Sequence, residues 1–172
     1  MIVVVSQYNN NWKQKFSEES QIIKDILGDE LIDIHHIGST SVPGLISKPI
    51  IDIMPVVKDI TRIDAINKQM KEARYECMGE FGIKGRRYFR KGGNNRTHQV
   101  HMFQGDNKED INRHLAVRDY LQTHPDEANR YGALKESLAQ QFPNDIQAYM
   151  DGKDAFVKNL EKKALAGYKT EN

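Results

Sequence analysis

The chain has 172 residues, 38% of them hydrophobic and 28% charged, with 25 basic against 24 acidic side chains and a formal charge of +1. That length suits one domain, expected over 1–172, able to bury its own core. The even charge balance supplies no global field that would draw the chain to nucleic acid or to anionic lipid, so any phosphate chemistry has to come from local clusters of cations.

In chain order, Val3–Val5 predicts a short edge strand closed by a polar turn over 6–11. The opening apolar run is too short for a signal-peptide core and has no basic leader, and no run approaches the roughly 20 apolar residues that span a bilayer. From Trp12, apolar residues recur at Phe16, Ile22, Ile23, Ile26 and Leu27, which predicts a helix that stops at Gly28. Leu31–Ile37 and Ile50–Val57 read as two central strands, the second so continuously apolar that both its faces should be covered. Pro49 can open that strand, whereas Pro55 suggests a bulge or a frayed end. Thr61 is placed to cap a helix running to Ala73, with Ile60, Ile63, Ile66 and Met70 inward.

Strands are expected at Tyr75–Met78, Arg87–Lys91 and Thr97–Gln104, the last two joined by a hairpin turn at Gly92-Gly93-Asn94-Asn95. Cys77 is the only cysteine. An intramolecular disulfide and a cysteine-built zinc site are therefore excluded, and a reduced thiol in a cytoplasmic protein is expected. The final third predicts helices over Lys108–Thr123, Asp126–Gln141 and Asp145–Ala166, with Pro125 and Pro143 in the breaks and Lys169–Asn172 frayed. Strands and helices in this order describe an α+β fold: a mixed sheet flanked by helices, with a helical C-terminal third.

The most informative segment is His36-Ile37-Gly38-Ser39-Thr40-Ser41, followed by Lys48-Pro49-Ile50-Ile51-Asp52-Ile53-Met54. Gly38 lets the backbone approach a bound group, and the hydroxyls and amides of Ser39, Thr40 and Ser41 can hold phosphate oxygens. The plainer alternative is a turn satisfied by its own hydroxyl groups. Asp52, in an apolar strand, needs a partner, and a metal ion is one. His98 and His101 are three apart, so on a regular strand they face opposite sides, and His101 shares a face with Gln99 and Phe103. His36 shares a face with Gly38. Lys48, Arg86, Arg87 and Arg90 lie on or before strands, Arg118 lies one helical turn after His114, and Lys135 lies one turn after Tyr131. Lys153 is a further cation. Such groups matter only if they converge on one cleft; singly, each is an ordinary solvated side chain. Tyr8 and Trp12 could stack on a base, although core packing is the commoner role of such aromatics.

The segment HIGSTSVPGLISKPIIDI resembles the signature of the GrpB-like family, whose fold is that of the polymerase-beta-like nucleotidyltransferases. The likeness begins at Tyr8 and Trp12. It continues through Gly85–Lys91, Thr97–His101, His114–Leu121, His124-Pro125, Tyr131 and Lys135.

The resemblance implies that Gly38 and Ser39 touch a triphosphate and that Asp52, with twelve residues between it and Ser39, binds Mg2+. It implies a third metal-site position near His101, as ligand or base, and gives Arg87, Arg118 and Lys135 the task of neutralising phosphate charge. One departure stands out. Active nucleotidyltransferases carry two acids one residue apart, and here the second position is Met54, which cannot ligate Mg2+. Two readings follow: a Mg2+-dependent nucleotidyltransferase with an unusual metal site, or a module that binds a nucleotide or phosphorylated small molecule without turnover. The second is also suggested by a likeness to the carboxy-terminal extension of some dephospho-coenzyme A kinases.

Overall fold

The computed structural model describes residues 2–171, with side chains through Tyr168. Its centre is a five-stranded mixed sheet in the order β1-β2-β5-β4-β3, formed by β1 (Leu31–Ile37), β2 (Ile51–Val57), β3 (Glu76–Cys77), β4 (Arg86–Lys91) and β5 (His98–Gln104). The β2–β5 pair is parallel and every other pair antiparallel. β2 is interior, and four of its seven side chains are almost wholly buried: Ile51, Ile53, Met54 and Val57. Its apolar run therefore has the cause inferred from the sequence, cover on both faces.

The period of two along β2 divides the core. Ile51, Ile53 and Val57 face α1 (Asn11–Leu27) and α2 (Asn67–Glu72), packing with Trp12, Ile23, Leu27 and Met70. Met54 and Val56 face the other side, with Ile37, Phe103 and Ile111 of α3 (Lys108–Thr123). Asp52 belongs to this second face. α4 (Pro125–Gln141) and α5 (Ile146–Glu171) complete the helical layer there. α4 starts on Pro125 with Asp126 and Glu127 in its first turn, a start favoured by proline geometry and by the helix dipole. On the first face, buried Glu19 accepts hydrogen bonds from Tyr75 Oη at 2.7 Å and from Lys91. Burial raises its carboxyl, but those two bonds outweigh it and hold the group below the ordinary carboxylate range.

Several local expectations need correction. Val3–Val5 forms no strand. Val3 donates to the Pro143 carbonyl and packs with Leu138 and Tyr149, and the segment's one ladder contact is an isolated bridge between Ser6 and Ser47. The helix cap at Thr61 is instead Asp59, which accepts from the Thr61 amide at 3.0 Å; a 3-10 turn over Ile60–Ile66 then leads into α2. Pro55 neither bulges nor frays β2. It lies opposite Ile34, the β2–β5 ladder skips only Met54 and Pro55, and the register shift falls on β1 between Leu31 and Asp33. The β4–β5 hairpin turns where expected, with the Asn95 amide donating to the Gly92 carbonyl at 2.9 Å. The fraying expected for Lys169–Asn172 falls on residues whose side chains, or in the case of Asn172 the whole residue, lie outside those described. Among the described residues no helix is long and apolar enough to cross a membrane.

Candidate functional site

β1 ends at Ile37, and Gly38 turns the chain at φ 72° into a single 3-10 turn, Ser39–Ser41. A side chain at Gly38 would place its Cβ 2.6 Å from Asp52 Oδ2, so glycine is required both by the left-handed backbone and by the close approach of the carboxylate. Thr40 is buried. Its hydroxyl donates to the Ile50 carbonyl at 3.4 Å and lies 2.9 Å from His36 Nε2. Ser41 Oγ donates back to the Gly38 carbonyl. Thr40 and Ser41 thus stabilise the loop itself, and Ser39, whose hydroxyl is hydrogen-bonded with Tyr131, lines a cavity. His36 faces the other side of the sheet, stacked on Phe16, and burial pushes its pKa down to about 4.

Asp52 Oδ1 lies 3.0 Å from His101 Nε2, across the parallel β2–β5 pair. Arg86 NH1 stands 3.5 Å from the other ring nitrogen, Nδ1. A guanidinium only donates, so Nδ1 accepts and Nε2 carries the proton given to Asp52. Arg86 is itself fixed by donating to the Glu80 and Phe81 carbonyls at 3.2 and 2.8 Å. Behind this row, half-buried His114 has its ring centroid 5.7 Å from that of His101, and burial is the main cause that pushes it down to about 3.

On the open side of Asp52 lies a cavity of about 160 Å3, lined by Ser39, Lys48, Asp52, Lys135, Tyr149 and Lys153 among others. Three lysine amino groups, from the loop before β2, from α4 and from α5, line it beside one carboxylate. Lys135 is 2% exposed, and its Nζ has no hydrogen-bond partner; it stands over the Tyr131 ring at 4.3 Å. Lys48 and Lys153 stand over the Tyr149 ring at 5.2 and 5.4 Å, and Tyr149 Oη is also buried without a partner. The aromatic faces offer partial compensation to cations that lack counter-ions. It is incomplete: burial, and then the charges of Lys153 and Lys48, push Lys135 down to about 6. Lys48 falls to about 8, first through burial and then through Lys153, and Lys153 is lowered by burial.

The donor set does not fit Mg2+. That ion asks for near-octahedral oxygen ligation, with one or two carboxylates beside waters and substrate phosphates. Here the single carboxylate, Asp52, already holds His101 and faces lysines, and Met54 is buried in the core. Among the described residues no group of three His, Cys, Asp or Glu side chains could hold a metal ion.

Of the residues singled out from the sequence, Gly38, Ser39, Lys48, Asp52, His101 and Lys135 come together. Arg118 lies behind the loop, donating to Asp119 at 2.9 Å and to the His36 carbonyl at 3.3 Å. Arg87 is not brought to the cavity. It points to the opposite face of the sheet, where Nε and NH2 donate to Asp64 at 2.9 and 3.3 Å. Its neighbour Arg86 is the one on the His101 face, since Arg86 registers with Phe103 and Tyr88 with His101. Lys153 and Tyr149 gain in importance. The sequence signal for Lys153 was only its place beside Gly152.

A family model described as GrpB protein matches residues 2–163. The chain belongs to the GrpB family. It is 46% identical over 170 residues to the UPF0157 protein YqkA of Bacillus subtilis (strain 168), covering 99% of this chain and 49% of that one. The chain thus spans about half the length of that relative. The glutamate-rich protein GrpB of Alkalihalophilus pseudofirmus is 33% identical over 165 residues, covering 92% and 93%. Among solved structures, conserved protein GrpB from Enterococcus faecalis matches with a TM-score of 0.94 at 48% identity, over 96% of this chain and 99% of that one. The poly(U) polymerase Cid1, solved with its short product ApU, matches at a TM-score of 0.52 and 14% identity, over 79% and 43%. That distant likeness shows that the GrpB sheet and helices share the nucleotidyltransferase fold.

Proposed function

We propose that this GrpB chain binds a nucleotide or phosphorylated small molecule in the lysine cavity without a resident divalent metal. The observation that carries the reading is Lys135: a buried amino group with no partner, beside two further lysines, in a cavity open to a ligand. An unpartnered buried donor is costly, and a polyanion supplies what is missing. The fold agrees, since Cid1, solved in complex with a UTP analog, shares it. Ser39 would donate to a phosphate oxygen, and Lys48, Lys135 and Lys153 would neutralise its charge. Asp52, oriented by His101, would accept from a ligand hydroxyl.

The test is a thermal-shift panel of nucleoside triphosphates and other phosphate esters, in Mg2+ and in EDTA, on wild type, Lys135→Met and Asp52→Ala. A ligand at about 100 times its Kd stabilises the fold by about 2.7 kcal/mol. The expected result is a rise in Tm that is the same in EDTA and in Mg2+ and absent in Lys135→Met. A rise that needs Mg2+ and disappears in Asp52→Ala would instead support metal-dependent nucleotidyl transfer, and pyrophosphate release should then be sought.

A further inference from the structure

Next to the lysine cavity lies a larger one of about 630 Å3. The two share Lys48 and Ile50 in their walls, so they adjoin. The larger one runs between the N-terminal segment, at Ile2 and Val4, and the β4–β5 turn, at Arg96, with Pro49 and Ile50 along it. Two observations mark the pair. Six large apolar side chains are exposed among the described residues; Ile2 and Val4, 68% and 55% exposed, line the larger cavity, and Met150 lines the smaller. Of four buried polar side-chain atoms without a partner among the described residues, three belong to residues lining these cavities: Lys135 Nζ, Tyr149 Oη and Arg96 Nε. Stranded donors and exposed apolar groups thus fall in two adjoining cavities, the inner one cationic and the outer one mixed, with Ile2, Val4, Pro49 and Ile50 facing Lys15 and Arg96.

We infer that the larger cavity receives the organic body of the phosphate ester whose anionic head sits among Lys48, Lys135 and Lys153, and that this body is a flat heterocycle with hydrogen-bond acceptors, as in a nucleotide. The inference rests on the function proposed above. A planar ring gains by covering Ile2, Val4, Pro49 and Ile50, and acceptor atoms on its edge answer the unpartnered donor of Arg96. A small inorganic anion would fill only the inner end and leave the outer wall bare.

The experiment is calorimetric titration in EDTA of inorganic tripolyphosphate against the adenosine, guanosine, cytidine and uridine triphosphates. The proteins are wild type, Val4→Asp, Arg96→Gln and Lys135→Met. Val4 is exposed and Arg96 lies by a surface turn, so both variants should fold, and melting curves check it. At least one nucleoside triphosphate is expected to bind wild type about tenfold or more tighter than tripolyphosphate. That preference, taken as the ratio of nucleotide to tripolyphosphate affinity within each variant so that the change of charge cancels, should vanish in Val4→Asp and Arg96→Gln, while Lys135→Met weakens every ligand. Equal affinity of wild type for tripolyphosphate and all four nucleotides would overturn the inference and leave the lysine cavity standing. A nucleotide preference that survives both outer variants would also overturn it. No binding by any probe, or none lost in Lys135→Met, would overturn both readings.

Discussion

Lys135 carries two costs at once: its amino group is out of water, and no acceptor meets it. Its folded-state pKa near 6 lies below that of an unfolded lysine. Between those two values the unfolded chain binds the proton that the folded one has lost, so stability rises with pH through this window and is lowest at and below its acid edge. Lys135→Met should therefore stabilise the ligand-free protein, by about 1–3 kcal/mol near neutral pH for the unsatisfied donor alone. The advantage should shrink as pH approaches 10, measurable as urea midpoints at several pH values. Gly38 makes the opposite case. Alanine there would strain the backbone and press on Asp52 Oδ2, so Gly38→Ala should cost at least about 1 kcal/mol. The same urea titration checks it, and an unchanged midpoint would mean that the loop can move off β2.

Between elements, the position of α5 decides where Lys153 stands. Gly152, in the interior of that helix, would as alanine bring a Cβ within 2.4 Å of Leu138 Cδ2 on α4. Glycine is the poorest helix former after proline, by about 1 kcal/mol against alanine, and the close packing of α4 on α5 explains its presence. Gly152→Ala is expected to lower stability, because overpacking of about 1–3 kcal/mol exceeds that gain in propensity. It should also weaken anion binding by shifting Lys153; a stabilised variant would contradict the packing argument. At this scale much of the fold was legible in the sequence. The continuous apolar run of β2 showed that both its faces are covered, and the parity of β5 separated His101 from His98, which lies on the opposite face 4.0 Å from Glu19. Arg86 and Arg87 were not separable, since both are arginines and only the register with β5 tells which one reaches His101. Val3–Val5 has strand-forming residues, but a strand needs a partner edge, and tertiary packing sent Val3 to Tyr149 instead. The meeting of Lys135 with Lys153 depends on how two helices pack, and no local pattern encodes it.

For the molecule as a whole, the near-neutral net charge hides a local excess of cations over Asp52. An anion bound there raises the depressed pKa values of Lys135 and Lys48, so at pH 7 binding should take up protons, and affinity should fall as pH rises from about 6. Calorimetry of tripolyphosphate in two buffers of different ionisation enthalpy reads the uptake directly. A result independent of buffer and pH would show that the lysines are already charged in the free protein. The cavity also has a history in time, set by the topology of the sheet. Its walls come from the loop after β1, from β2, and from α4 and α5, while Asp52 is oriented by His101 only once the non-local β2–β5 pair has closed. Pairings of such long sequence separation form late. A chain emerging from the ribosome therefore presents its Gly-Ser loop and Asp52 well before it can grip an anion. On the proposed function, capture of a ligand would report that α5 has docked, and the ligand would clasp the loop after β1 to α4 and α5.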